Sequence, residues 1–172
     1  IFKAHNIGYF FYNGGGDSAD TCYKISKLSE KMNFPIQAIH IPKTVDNDLP
    51  ITDVCPGFGS VAKYIAISTR EASYDVASMA KTSTKVFVIE VMGRHAGWIA
   101  AAGGLAADEK NDIPVVILFP EIKFNQEAFL AKVDTNVKKY EYCSVVVSEG
   151  ARWPDGKFLA EQGTRDAFGH SQ

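Results

Sequence analysis

Short apolar runs rich in β-branched and aromatic residues alternate along this chain with stretches whose apolar residues recur every three or four positions. That alternation limits the possible folds more than any other feature. Residues 7–12 read as a buried strand, ended by the glycines at 14–16. From 18 to 33, Ala19, Cys22, Ile25, Leu28 and Met32 mark one face of a helix with Ser18 as its N-cap. Residues 36–41 are the next strand, and a polar loop with three prolines and two glycines fills 42–59. There follow a helix over 60–81, a β-branched strand at 85–91, a small-residue helix over 96–107 and a strand at 114–119. A helix over 125–139, capped by Asn125, and a strand at 143–148 complete the series. Near-continuous apolar strands separated by helices predict an α/β chain whose parallel sheet is covered on both faces.

The bulk numbers exclude several classes. A length of 172 residues suits one domain or parts of two. Twenty acidic against eighteen basic residues leave a formal charge of −2, so nothing draws the chain to nucleic acid or to an anionic membrane. No apolar run reaches the ~18–20 residues that span a bilayer. The three cysteines, Cys22, Cys55 and Cys143, lie far apart and form no Cys-x-x-Cys pair. Neither a zinc site nor a disulfide framework is expected, and reduced thiols fit a cytoplasmic protein. The chain starts without Met, inside apparent structure, and stops in the turn-like Gly169-His170-Ser171-Gln172, which predicts an excerpt of a longer protein.

The unusual residues cluster just after strands. Asn13-Gly14-Gly15-Gly16-Asp17-Ser18 sits between a strand and a helix. Its glycines let backbone N–H groups face an anion at a helix N-terminus, although Asp17 repels phosphate unless a cation intervenes, and a tight turn reads equally well. Lys43-Thr44-Val45-Asp46-Asn47-Asp48 places two carboxylates beside a lysine and a threonine. One carboxylate can accept the proton of an attacking hydroxyl and the other can hold Mg²⁺, while Lys43 and Thr44 face a transferring phosphoryl group. Read alone, the same loop is also an ordinary Asp/Asn turn. In Met92-Gly93-Arg94-His95-Ala96-Gly97-Trp98, Arg94 is placed for a phosphate or a sugar hydroxyl. His95 alone reads as structural or exposed. Glu149 and Arg152 follow the last strand, where a carboxylate can bind sugar hydroxyls. In an open α/β sheet, ligands bind at the carboxyl ends of strands, so these four loops converge on one site.

Taken in order and spacing, the four loops resemble the phosphofructokinase family over about residues 8 to 170. The resemblance implies a Rossmann-like three-layer αβα fold with mainly parallel sheets, in parts of two domains. Residues 1–57 would belong to the phosphoryl-donor domain and 58–172 to the sugar-phosphate domain. By position, Asp46 corresponds to the base that deprotonates the 1-hydroxyl of fructose 6-phosphate. Thr44 and Asp48 correspond to residues around the transferred phosphoryl and its Mg²⁺. Met92, Gly93 and Arg94 correspond to sugar-phosphate binding, with Arg94 also near the reacting group, and Glu149 to a sugar-binding carboxylate. Lys85 stands where the family often has an arginine that reaches the sugar phosphate of a neighbouring subunit, and lysine lacks arginine's bidentate fork. His170 corresponds to a late sugar-phosphate histidine, and Arg165 falls one position from a family arginine. The resemblance implies a homo-oligomer.

Two positions speak to the donor. Family members that use ATP typically have glycine at the positions of Lys43 and Asp17, whereas pyrophosphate users have lysine and aspartate there. Asp17 would fill the space of an ATP α-phosphate, and Lys43 adds charge where free phosphate leaves. Gly14, Gly15, Gly16, Asp17, Ser18 and Lys43 are thus the expected donor contacts. Gly16 replaces the family's usual metal-associated Asp, so either the metal relies on Asp48 and phosphate oxygens, or the loop shifts by one and Asp17 takes the metal role. The expected activity is reversible transfer from pyrophosphate to fructose 6-phosphate. An ATP-dependent enzyme, or a sugar-phosphate-binding regulatory subunit without turnover, is the alternative.

Overall fold

The computed structural model describes residues 1–108, 110 and 112–160. The chain divides into two compact units, one of residues 1–45 and 49–57, the other of 46–48 and the described residues from Phe58 onward.

The first unit is a strand–helix–strand motif. β1 (Tyr9–Gly14) and β2 (Gln37–Pro42) pair in parallel with Tyr9 opposite Gln37 and Gly14 opposite Pro42, and α1 (Gly16–Lys31) packs against both. Side chains alternate across a strand. Phe10, Tyr12, Ala38 and His40 are therefore partly covered, while Tyr9, Phe11, Ile39 and Ile41 share a bare face, Tyr9 at 67% exposed and Phe11 at 60%. The expectation of a buried strand over 7–12 is corrected here, because one helix covers one face of a two-stranded sheet. The expected helical face is also rotated. Cys22 and Ser29 point inward, whereas Leu28 and Met32 are exposed. Ser29 replaces Leu28 because its hydroxyl donates to Ser26 O (2.7 Å) and accepts from Ile36 N (3.2 Å), tying the helix to the start of β2. Ser18 is not the cap. Gly15 holds the N-cap position without a side-chain bond, and Ser18 lies within the first turn. The helix ends where Asn33 turns to φ 49°, with Asn33 N donating to Glu30 O and Phe34 N to Ser29 O, the paired bonds of a Schellman stop.

The second unit holds α2 (Phe58–Met79), β3 (Val86–Val91), α3 (Trp98–Ala102), a 3₁₀ turn (Gly103–Ala106), β4 (Val115–Leu118), α4 (Gln126–Tyr140) and β5 (Cys143–Ser148). The sheet order is β3-β5-β4, all parallel, with β5 central. Successive β5 side chains face opposite layers. Ser144 bonds Ser73 of α2 (2.7 Å) and Val146 meets Gly103, while Cys143 contacts Asn136 of α4. Helices therefore lie on both faces, which is the three-layer αβα arrangement. Asn125 caps α4 as expected, its Oδ1 accepting from Ala128 N at 2.9 Å.

The helix expected over 96–107 is much shorter. α3 gives way to the 3₁₀ turn because the backbone there is drawn against the sheet. A Cβ on Gly103 would lie 2.6 Å from a Val146 methyl, and one on Gly104 would lie 3.2 Å from Ile117. All three cysteines are free and buried, and among the described residues no helix is long and apolar enough to cross a membrane.

The Gly103–Val146 approach leaves no room for a side chain. Gly103→Val is expected to destabilise the protein by roughly 1–3 kcal/mol, the usual cost of overpacking. Chemical unfolding checks this, and an unchanged midpoint would show that the turn can move away from β5.

Candidate functional site

At the carboxyl ends of the second unit's strands, backbone geometry sets the positions of the polar groups. β3 and β5 run in register to Val91 and Ser148, and Glu149 N extends the ladder by donating to Val91 O at 2.8 Å. Beyond the ladder, Gly93 adopts φ 122°, a conformation that favours glycine. A Cβ there would sit 2.4 Å from Ala96 O. The sharp turn brings Gly93 N to Glu149 Oε1 (3.3 Å). Ser148 Oγ donates to Gly93 O (2.6 Å) and accepts from Gly150 N (3.1 Å). Gly150 lies so close to Arg94 that a Cβ would be 2.1 Å from its carbonyl oxygen. Arg94 and Glu149 thus sit on two loops that touch through their backbones.

Asp46–Asp48 belongs to the same unit. Asn47 is buried at φ 58°, a left-handed conformation that Asn tolerates, and it turns the chain between the two aspartates. Asp46 is partly covered and Asp48 exposed. Burial pushes the Asp46 carboxyl above the ordinary aspartate range. Asp48 and Glu149 push it the same way, and Arg94 and His95 oppose them. Asp48, Arg94, His95 and Glu149 are therefore near enough to act electrostatically on Asp46. An aspartate whose affinity for a proton is raised is suited to general-base work, and a flanking arginine suits phosphate. His95, which the sequence gave little reason to single out, joins the cluster as an exposed neighbour.

In the first unit the expected donor residues also gather. Gly14 O accepts from Lys43 N (3.0 Å) and lies 3.0 Å from His40 Nε2, which must carry the proton to donate. Gly14 is buried, and a Cβ there would meet Ser18 Oγ at 2.1 Å. Lys43 Nζ lies 4.0 Å from where a Gly15 Cβ would be, so the lysine runs along the glycine turn. Asp17 is exposed in the first turn of α1, where a carboxylate interacts favourably with the helix dipole. Thr44 is partly covered in the same unit. His40 escaped the sequence reading, since a lone histidine in a strand gives no signal of a bond to a turn 26 positions away.

Lys85 is not brought to the cluster. It precedes β3, at the opposite end from Gly93, about 20 Å away at ~3.3 Å per residue, and its ammonium donates to Ala80 O. Its distance from the cluster agrees with the expectation that such a residue serves a neighbouring subunit's sugar phosphate rather than its own chain's, a contact that one chain does not test. Met92 is exposed beside Gly93. Arg152 stacks over Phe158 at 4.1 Å. His170 and Arg165 lie outside the described residues. Two grooves of about 250 and 670 Å³ border α4, and neither is lined by an expected site residue.

The phosphofructokinase family model matches residues 1–171. The chain belongs to the phosphofructokinase family. It is 71% identical, over its whole length, to a pyrophosphate–fructose 6-phosphate 1-phosphotransferase of Methylococcus capsulatus, of which it covers 41%. It is 69% identical to the like-named protein of Halomonas elongata, again covering 41%. The chain therefore spans about two fifths of the length of these curated relatives. A crystal structure of a pyrophosphate-dependent phosphofructokinase from Nitrosospira multiformis superposes with a TM-score of 0.80 at 77% identity, over 91% of this chain and 40% of that one. The Saccharomyces cerevisiae phosphofructokinase, at 19% identity and a TM-score of 0.69, shares the fold.

The raised proton affinity of Asp46 has a stability consequence. A carboxyl whose pKa is higher folded than unfolded favours the fold when protonated, and that contribution is lost as pH rises through the folded value. Asp46→Asn, neutral throughout, is expected to melt higher than the native protein near pH 7. Its advantage should vanish below about pH 4. Melting curves across pH test this, and a lower Tm for the Asn variant at pH 7 would remove the electrostatic reading.

Proposed function

We propose that the protein carrying this chain transfers a phosphoryl group from pyrophosphate to the 1-hydroxyl of fructose 6-phosphate, reversibly, giving fructose 1,6-bisphosphate and phosphate. The observation that carries the proposal is the joint placement of Asp46, Asp48, Arg94 and Glu149 at one sheet edge, with Asp46 the carboxyl driven up by burial. The names of relatives at 71% and 69% identity support the same donor and acceptor.

In this reading Asp46 takes the proton of the 1-hydroxyl as its oxygen attacks one phosphorus of pyrophosphate. The bond from that phosphorus to the bridging oxygen breaks, and phosphate leaves. Arg94 stabilises charge on the transferring oxygens, where positioned cations do most of the catalytic work. Glu149 accepts from sugar hydroxyls, its Oε1 already held by Gly93 N. Met92 and Gly93 border the sugar phosphate. Gly14, Gly15, Gly16 and Ser18 offer the donor a glycine turn and a helix start, with Lys43 alongside and Thr44 next to it. Asp17 is assigned to exclusion of an ATP α-phosphate.

The exposed carboxylate of Asp48 would suit Mg²⁺, a hard cation that prefers oxygen ligands. Among the described residues no three His, Cys, Asp or Glu side chains gather into a metal cage, and Mg²⁺ typically binds through one or two carboxylates plus phosphate oxygens. Asp48, exposed beside Asp46, is the residue assigned to it. When bound, the ion neutralises phosphate charge.

A coupled assay on the full-length protein, with pyrophosphate or ATP as donor, is expected to show turnover with pyrophosphate. Turnover with ATP alone would overturn the roles given to Lys43 and Asp17. Asp46→Ala should lower kcat by roughly 10²–10⁴-fold, the scale of a lost general base. A near-native rate would take Asp46 out of that role.

A further inference from the structure

Ser148 ends β5 and is 1% exposed, and its hydroxyl is hydrogen-bonded to the backbones of two loops. Its proton goes to Gly93 O at 2.6 Å, and it accepts from Gly150 N at 3.1 Å. Gly93 and Gly150 are both buried, so these backbone groups depend on the protein for partners. The two glycines flank the chemistry. Gly93 precedes Arg94 and binds the Glu149 carboxylate through its N–H, while Gly150 follows Glu149 and packs on the Arg94 backbone. One hydroxyl therefore joins the loop of the arginine to the loop of the carboxylate.

We infer that Ser148 is a positioning residue for the sugar-phosphate end of the site, clasping the Arg94 and Glu149 loops in one relative geometry. The inference rests on the activity proposed above. Alanine leaves Gly93 O and Gly150 N buried without their partner, and the loops relax apart to satisfy them. Misplacement of substrate-contacting groups by about 1 Å can cost on the order of 10²-fold. The glycine turn and Lys43 expected to bind pyrophosphate stand in the first unit, so the loss should fall on sugar-phosphate binding and, through Arg94, on kcat rather than on the KM for pyrophosphate.

Ser144 supplies the control. It is equally buried on the same strand, and its hydroxyl bonds Ser73 in the helix layer, remote from the site loops. In the full-length enzyme, Ser148→Ala is expected to raise both the KM and the calorimetric Kd for fructose 6-phosphate by about tenfold or more, leaving the KM for pyrophosphate within about twofold. Ser144→Ala should lower Tm to a similar degree and leave all three constants near native. If Ser148→Ala fails to fold, Ser148→Cys, whose thiol bonds more weakly, should give a smaller shift in the same direction. Native sugar-phosphate binding in a folded Ser148 variant, or equal kinetic effects of the two serines, overturns the inference. Failure of the native protein to bind fructose 6-phosphate at all would instead overturn the proposed function, and calorimetry separates the two because it needs no turnover.

Discussion

The parallel ladder between β3 and β5 holds Val91 opposite Ser148, and the two loops that follow inherit that alignment. Because neighbouring parallel strands leave the sheet side by side, Gly93 and Glu149 emerge within hydrogen-bond reach despite lying 56 positions apart. A slip of one residue would turn Ser148 to the opposite face, since side chains alternate along a strand. The position of Arg94, the orientation of Glu149 and the field at Asp46 all follow from that one register. β5 is buried throughout or nearly so, with helices on either side, and this makes the register costly to change.

The strands of the second unit were legible because a run such as Cys143–Ser148 is apolar enough to be central, and its predicted and observed limits coincide. The cap at Asn125 was legible because a single side chain makes it. What escaped depended on neighbours distant in sequence. Residues 96–107 look helical, but the demand that Gly103 press on Val146 comes from a strand forty residues on. The strand at residues 7–12 looks buried, yet burial needs a second covering layer, which local sequence cannot announce. At the site, the aspartates and Arg94 stood out by residue type. His40 did not, because its role is a single bond to a backbone atom across the fold.

Asp46 shows how a useful side chain can work against the fold. Its carboxyl is partly withdrawn from water and faces Asp48 and Glu149, while Arg94 and His95 compensate only in part. The arrangement holds a carboxylate ready to accept a proton, and functional sites are where such strain is tolerated. Buried Asn47, in its left-handed turn, lets the two aspartates stand so close together.

The bare face of the first unit has a practical meaning. Tyr9, Phe11, Ile39 and Ile41 form an apolar strip on a two-stranded sheet to which no third strand pairs among the described residues. Such an edge is a template for other chains, and the strip beside it supplies the adhesive surface. The 172-residue polypeptide handled by itself would thus behave as a colloidally sticky particle, self-associating through this corner as concentration rises.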